Sequence, residues 1–285
     1  MSFEKIIFLL FSLFIFSIII YYLFFDNNNK SNKNPENLNI KRENPENLNI
    51  KKENPEKENL NKNSENPEKI KIDSESNISI LIHYDDDEKK KGVLESTNFD
   101  YNSENIALVN AANQKGIGGG GVDAAFNMKG SPVQLQEYRK KIMKTIPNNE
   151  IQIGETVLLE SNAECNFENT FGSKYIFLTV GPNFHNYKDK PDEAYELLKN
   201  AYINTIKKAI ETDNIKLLKF SLLSSSIFAA GKSDEILQKS LEYILKFIDN
   251  EKLKKGKLEV IMLCCFNDSE FQTLSDHSKK NFNVI

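Results

Sequence analysis

The sequence is poor in cysteine and histidine and has no excess of positive charge. Three cysteines among 285 residues are too few for a disulfide framework, and the adjacent pair Cys264 and Cys265 lies in an apolar run that favours burial. The formal net charge of -4 argues against a nucleic-acid-binding surface, which is normally basic, so no nucleic-acid partner is expected. The histidines lack the spacing of metal ligands, and no metal is expected: His83, His185 and His277.

One long hydrophobic run is present, from Ile6 to Phe25, and only two serines interrupt it. A helix of 20 residues spans roughly 30 Å, about the thickness of the hydrocarbon layer of a bilayer. A cleaved signal peptide is the alternative, but its apolar region is usually about 7–15 residues and ends at small residues, which are missing here. We therefore predict that residues 1–25 are a single-pass membrane anchor, spanning at 6–25. Lys30 and Lys33 just beyond it favour a cytosolic C-terminal domain.

Residues 26–75 differ in composition from the rest of the chain. The decapeptide at 43–52 nearly repeats the ten residues before it, and the stretch contains four prolines and no aromatic residue. Too little apolar surface is present to offset the entropy of ordering the chain, which predicts a disordered linker. A repeat array that binds a partner is the alternative. Asn29 and Asn77 stand in glycosylation triplets, which would be used only in a glycosylating lumen.

Beyond about Ser76 the pattern becomes globular, and we assign residues 76–285 to one domain. Helical spacing of apolar residues predicts helices around 194–206 and 236–248, with Ser233 placed to cap the second. Strands that alternate with helices indicate a layered α/β domain with a largely parallel sheet. Short apolar runs predict the strands, at 78–82, 106–109, 156–159, 175–178, 217–223 and 258–265.

The most informative segment is Gly116–Gly121, which has five glycines within six residues and is called the glycine loop below. It follows the apolar run 106–109 and precedes a helix that begins near Val122. Glycine lets the backbone approach a ligand closely, and the N-terminus of a helix adds unpaired N–H groups and a positive dipole end. This combination predicts a binding site for a phosphate or a sugar.

Two familiar phosphate-binding patterns match only weakly. The glycine loop satisfies the dinucleotide fingerprint G-x-G-x-x-G, but any run of glycines satisfies it easily. Residues 226–233 differ from a P-loop at one position, because Ser226 stands where the first glycine belongs. Because the dinucleotide fingerprint is present, a nicotinamide-dependent oxidoreductase remains an alternative hypothesis, the third beside the two stated at the end of this subsection.

A third pattern is more specific, because Val109–Asn113, the glycine loop and Val122-Asp123 together resemble the signature of macrodomains. Macrodomains bind ADP-ribose, so the resemblance implies a three-layer α/β/α fold with a mixed, mostly parallel sheet. It covers roughly residues 76–280. Further segments resemble the family's motifs in the family's order: Gly154–Val157, Tyr175–Pro182, Ser224–Phe228 and Phe266–Asp268.

The resemblance also implies a ligand-binding set. Asn113 would hydrogen-bond the hydroxyls of the distal ribose, since its amide offers both a donor and an acceptor. Phe266 would stack on adenine, unless it is a core residue that ends a strand. Glu95 and Asp100 are alternatives for the acid that reads the adenine amino group. The remaining members come from two loops and from the first turn of the helix: Gly118, Gly119, Gly120, Gly121, Val122, Asp123, Ser224, Ser225, Ser226, Ile227 and Phe228.

Catalysis would depend on Asn113 and Asp123, which are ten residues apart, as in the hydrolases of the family. The matching Asp of those enzymes orients or activates a water molecule, so the first hypothesis is a hydrolase that releases ADP-ribose from modified proteins or related esters without a cofactor. The alternative is a membrane-tethered reader of ADP-ribosylated proteins. Asn127, where many hydrolases have His, favours that alternative, as does the loss of glycines at Ser226 and Ala229.

Overall fold

The computed structural model describes residues 68–72, 76, 78–85, 92–94, 100–250 and 257–284. The predicted anchor, most of the predicted linker, Asn77 and Glu95 lie outside these residues. Within the described part, no helix has both the length and the apolar character that crossing a membrane requires.

The described residues form one seven-stranded sheet with the strand order β1-β2-β7-β6-β3-β5-β4. The five central strands run parallel to one another, and the two edge strands, β1 and β4, pair antiparallel with their neighbours. The strands are β1 (Glu68–Ile72), β2 (Ser79–Tyr84), β3 (Ile106–Ala111), β4 (Thr156–Glu160), β5 (Tyr175–Thr179), β6 (Leu217–Ser221) and β7 (Val260–Cys264).

Edge strand β1 was not predicted, and it moves the domain boundary. Glu68–Ile72 lies inside the range 26–75 that composition assigns to the linker, yet it pairs with β2 in register, with Ile72 opposite Ile80. Ile70 is 8% exposed and Ile72 is fully buried, while Lys71 between them is exposed. The strand therefore buries one face only, as an edge strand does, and the folded unit begins before residue 76.

Six helices are described, and they cover both faces of the sheet. One face carries the three longer helices, whose buried residues pack with Val109 and Phe177 from the sheet, and the other carries three short helices that pack with Leu108 and Ile176. The predicted three-layer α/β/α fold is therefore confirmed. The helices are α1 (Val122–Lys129), α2 (Gln136–Met143), α3 (Glu168–Phe171), α4 (Pro191–Glu211), α5 (Ser233–Asn250) and α6 (Asp268–Asn281).

The long helices begin where their sequences favour a start. Pro191 opens α4, and its fixed φ suits the first helical position. The side chain of Asn267 accepts a hydrogen bond from the backbone N–H of Glu270 at 2.9 Å, which caps α6. Helix α5 begins at Ser233, as predicted, and the Ser233 hydroxyl donates a hydrogen bond to the Ser225 carbonyl.

The parallel strands bring three loops to one edge of the sheet. β3 lies between β5 and β6, and all three end at that edge. Ser221, at the end of β6, accepts a hydrogen bond from the Ala111 N–H at 3.1 Å and donates to the Val109 carbonyl at 2.9 Å, which ties the ends of β6 and β3 together. The glycine loop follows β3, so the crevice at the carboxyl ends of these strands is where a ligand site is expected.

Candidate ligand site at the glycine loop

The glycine loop follows a path that side chains disfavour. Gly116, Gly118 and Gly121 have φ values of 64°, 100° and 59°. A Cβ atom at Gly118 would also collide with Nδ2 of Asn127 on α1. The backbone itself therefore favours glycine at these positions, before any ligand is considered.

The carbonyl groups of three successive loop residues point into the protein. Arg139 Nε donates to the Gly116 carbonyl, and Gln136 Nε2 donates to the Ile117 carbonyl at 2.8 Å. Asn113 Nδ2 donates to the Gly118 carbonyl at 2.7 Å. Three side chains thus hold the inner side of the loop in one orientation.

The N–H groups of the loop consequently face the opposite way. In a trans peptide the carbonyl of one residue and the N–H of the next point in opposite directions, and the chain has no cis peptide among the described residues. The N–H groups of Ile117, Gly118 and Gly119 therefore turn outward, and no described residue accepts a hydrogen bond from them. Gly119 and Gly120 are exposed. Outward N–H groups of this kind suit an anion or a sugar oxygen.

Helix α1 adds to this donor set at its N-terminus. Its N-cap is Gly121, which offers no side chain to satisfy the first N–H groups of the helix. Those groups carry the positive end of the helix dipole, which favours a phosphate. The predicted strand–glycine loop–helix arrangement is therefore present.

Asp123 is a buried side chain beside the glycine loop. The residue is 2% exposed, and its Oδ1 accepts a hydrogen bond from Asn110 Nδ2 at 2.7 Å. Arg139 Nη2 lies 2.8 Å from the same Oδ1, an ion pair without an aligned hydrogen bond. Oδ2 is buried and has no hydrogen-bond partner among the described residues. A buried, unpaired carboxylate oxygen is costly, so its position requires an explanation.

The unpaired oxygens of Asp123 and Asn113 belong to side chains that border the same glycine. A Cβ atom at Gly119 would lie 3.4 Å from Asp123 Oδ2 and 3.1 Å from Asn113 Nδ2. Asn113 Oδ1 is also buried without a partner. The structure thus brings together the two residues to which the resemblance assigns catalysis, and both lie against the part of the loop that has no side chain.

Arg139 is a member of this site that sequence reasoning missed. Its side chain is fully buried, and Nη1 donates to Asn127 Oδ1 at 2.9 Å. Burial lowers the pKa of its guanidinium, while the charge of Asp123 acts in the opposite direction. A signal was present in the sequence, because Arg139 stands four residues after Leu135 and four before Met143, on the apolar face of α2.

The loop after β6, residues Ser224–Phe228, is called the serine loop. Ser224 has a φ of 60°, and its hydroxyl donates to the Pro182 carbonyl at 2.7 Å. The Phe228 carbonyl accepts a hydrogen bond from the Phe184 N–H at 2.9 Å, so both ends of the loop are held to the segment after β5. The three residues at its tip are exposed and free to contact a ligand: Ser226, Ile227 and Phe228.

Phe266 lies on the surface after β7 and is 68% exposed, so the alternative of a core residue is wrong. Its backbone N–H donates to Glu270 Oε2 at 2.7 Å, and the Ser225 hydroxyl lies 3.5 Å from Glu270 Oε1. Glu270 therefore links the predicted adenine platform to the serine loop. Asp100, one of the two candidates for reading adenine, is exposed.

The ion pair gives a prediction for stability. Arg139→Leu should lower the free energy of unfolding by about 3–5 kcal/mol, because it leaves the Asp123 charge buried without compensation. Lys140→Gln is the control, since the Lys140 side chain is 44% exposed and pairs with Glu137 on the surface, where such pairs contribute about 0–1 kcal/mol. Urea unfolding of the two variants measures the difference, and equal losses would contradict the assignment.

Glu270 gives a prediction for pH. Burial raises the pKa of its carboxyl, against the hydrogen bonds from Phe266, Asn267 and Ser225 that lower it. A raised pKa means that stability from this group is present below the unfolded pKa and is lost as the pH rises through the folded pKa. Glu270→Gln cannot ionise, so its stability relative to wild type should improve between about pH 4 and pH 7. Urea unfolding at both pH values measures this, with the exposed Asp276→Asn as control; a constant difference would contradict it.

Comparison with known proteins identifies relatives of this site. The Macro domain family model matches residues 109–236. The chain is 28% identical over 167 residues to O-acetyl-ADP-ribose deacetylase 1 of Pantoea vagans, which covers 58% of this chain and 85% of that protein. It is 27% identical over 168 residues to a macro domain-containing protein of Methanosarcina mazei, covering 59% of this chain and 78% of the relative.

A solved structure agrees on the fold. The Oceanobacillus iheyensis macrodomain with ADP superimposes with a TM-score of 0.58 at 21% sequence identity, covering 76% of this chain and 97% of the other. Residues 109–236 run from the end of β3 through the glycine loop and the serine loop into α5. These are the residues over which the chain is similar to the Macro domain family model.

Proposed function

We propose that this chain binds ADP-ribose at the glycine loop and hydrolyses ADP-ribosyl ester linkages. The observation that carries the proposal is the pair of buried, unpartnered oxygens, Asp123 Oδ2 and Asn113 Oδ1, on side chains that border Gly119. Relatives named O-acetyl-ADP-ribose deacetylase support an ester substrate. A structural neighbour with the same fold, the Oceanobacillus iheyensis macrodomain, has been solved with ADP, which supports a nucleotide ligand.

Binding follows from the donors that the loops present. The outward N–H groups of the glycine loop and the N-terminus of α1 would receive the diphosphate, since both favour negative charge. Asn113 would bond to the distal ribose through its free Oδ1. The exposed ring of Phe266 would stack on adenine, and Phe228, 41% exposed, would pack beside the distal ribose from the opposite loop.

Hydrolysis requires a water molecule held against the ester. Asp123 Oδ2 would accept a hydrogen bond from that water and orient its oxygen toward the ester carbon. The water oxygen bonds to the acyl carbon, and the bond between that carbon and the ribose oxygen breaks. The proton that the water loses passes to the ribose oxygen, which leaves as a hydroxyl. The second product is the free carboxylic acid. This chemistry uses neither a metal nor a cofactor.

A second candidate function, a non-catalytic reader of ADP-ribosylated proteins, is favoured by one observation. Arg139 compensates the charge of Asp123, and Asn110 bonds to the same oxygen, so the carboxylate also has a structural role in supporting the loop. In a reader that role would be sufficient, and turnover would be absent.

Gly120 tests binding without disturbing the fold. A Cβ atom there meets nothing within 4 Å, so Gly120→Val should leave thermal unfolding unchanged while its side chain occupies the space of the ligand. We expect calorimetry to show loss of ADP-ribose binding in this variant. The wild-type protein should bind ADP-ribose more tightly than AMP, because only ADP-ribose has the distal ribose that Asn113 and the loop would contact. Equal affinity for the two ligands would contradict the site.

Asp123→Asn separates the two functions. The substitution keeps the size of the side chain but weakens its ability to orient water, so turnover of O-acetyl-ADP-ribose should fall by about 100-fold or more. ADP-ribose should still bind. Release of free ADP-ribose, followed by chromatography, measures the rate. A wild-type protein that binds ADP-ribose but turns over neither this ester nor an ester-linked ADP-ribosylated protein would establish the reader.

We also propose that residues 6–25 tether the macro domain to a membrane with the domain in the cytosol. The support is the length of the apolar run and the lysines Lys30 and Lys33 beyond it. Protease added to sealed organelles or to inside-out vesicles, whose cytosolic face is outward, should digest the domain. Full protection, together with a glycan at Asn77, would reverse the orientation.

A further inference from the structure

Arg139 contacts three parts of the site at once. Its Nε donates to the Gly116 carbonyl, its Nη1 donates to Asn127 Oδ1 at 2.9 Å, and its Nη2 lies 2.8 Å from Asp123 Oδ1. The side chain is fully buried, so it exposes no atom to a ligand. Any influence of Arg139 on a ligand therefore passes through the groups that it holds.

The first of those groups is the Asp123 carboxylate, whose orientation is fixed. Arg139 and Asn110 both approach Oδ1, which leaves Oδ2 as the unpaired acceptor. Rotating the carboxylate to exchange the two oxygens would break both contacts in a buried setting, where contacts of charged groups are strong. The guanidinium thus determines that one oxygen is used inside the protein and the other lies toward Gly119.

The second group is the peptide that begins the outward row of N–H groups. With the Gly116 carbonyl held inward by Arg139, the N–H of Ile117 faces outward. Without the guanidinium this carbonyl would be buried without a partner, and the peptide would be free to turn. Gln136, three residues earlier on α2, holds the next carbonyl, that of Ile117, and makes no hydrogen bond to Asp123 among the described residues.

We propose that Arg139 is a positioning residue, which aims Asp123 Oδ2 at the ligand and at the same time orients the start of the glycine loop. The proposal rests on the proposed function, because the ligand is the ADP-ribosyl group. It differs from a purely structural role in one respect. Loss of Arg139 should affect turnover through Asp123 more than it affects affinity, whereas loss of Gln136 should affect affinity alone or more strongly.

The experiment compares variants of the full-length chain in detergent, with kcat on O-acetyl-ADP-ribose and ADP-ribose affinity measured for each. Arg139→Gln should lower kcat at least tenfold and weaken affinity by a smaller factor. Gln136→Leu should weaken affinity by a larger factor than it lowers kcat. Lys140→Gln, at the neighbouring half-exposed position on α2, is the matched control. The proposal would be overturned if the ratio of the loss in kcat to the loss in affinity were the same for Arg139→Gln and Gln136→Leu.

Arg139→Lys keeps the proposal testable if Arg139→Gln fails to fold. A lysine preserves the positive charge beside Asp123 but cannot form the three-way contact of a guanidinium. Its kcat should recover to within about threefold of wild type while its affinity for ADP-ribose stays reduced. A lysine variant with both the kcat and the ADP-ribose affinity of the wild type would overturn the proposal, because the three-way contact of the guanidinium would then not be needed.

A wild-type protein without turnover would contradict the hydrolase function, and the role of Arg139 would then be tested by ADP-ribose affinity alone. In that case the combined variant Arg139→Gln/Asp123→Asn decides. If Arg139 acts through Asp123, the combined variant should lose at least threefold less affinity than the product of the losses in Arg139→Gln and Asp123→Asn. The reason is that the effects of residues that act as a unit are not additive. Losses that simply multiply would overturn the positioning role.

Discussion

The buried ion pair between Arg139 and Asp123 is the interaction on which the site depends. Removing two charges from water is expensive, and their attraction offsets that cost only when neighbouring polar groups also bond to them. Here Asn110, Asn127 and the Gly116 carbonyl supply those contacts. Strand β3, helices α1 and α2 and the glycine loop are joined at this one point, so the loop cannot be described apart from the helix packed behind it.

Local patterns were sufficient to predict most of the fold. Strands such as 175–178 are continuous apolar runs, and α5 repeats its apolar residues with helical spacing. Each element can therefore be predicted as a strand or a helix from a short stretch of sequence. Strand β1 was missed because Lys69-Ile70-Lys71-Ile72 continues the lysine-rich composition of the preceding repeats. Its strand character depends on pairing with β2, which is a property of the folded chain.

The site was predictable to the extent that one contiguous motif carries it. Asn113, the glycines and Asp123 lie within a short stretch, and the structure places them around Gly119. Arg139 could not be assigned in the same way, because its partners Asn127, Asp123 and Gly116 lie 12, 16 and 23 residues away and arginine is ordinarily an exposed residue. Glu270 is similar, since its link to Ser225 crosses 45 residues.

The inward carbonyls of residues 116–118 have a consequence for the energetics of recognition. Their bonds to Arg139, Gln136 and Asn113 are made within the protein itself, so the outward donors are oriented without help from a ligand. A ligand therefore does not have to supply the free energy of ordering this loop, and more of its contact energy remains as affinity. The cost of the arrangement is met during folding, by glycines that give up their conformational freedom.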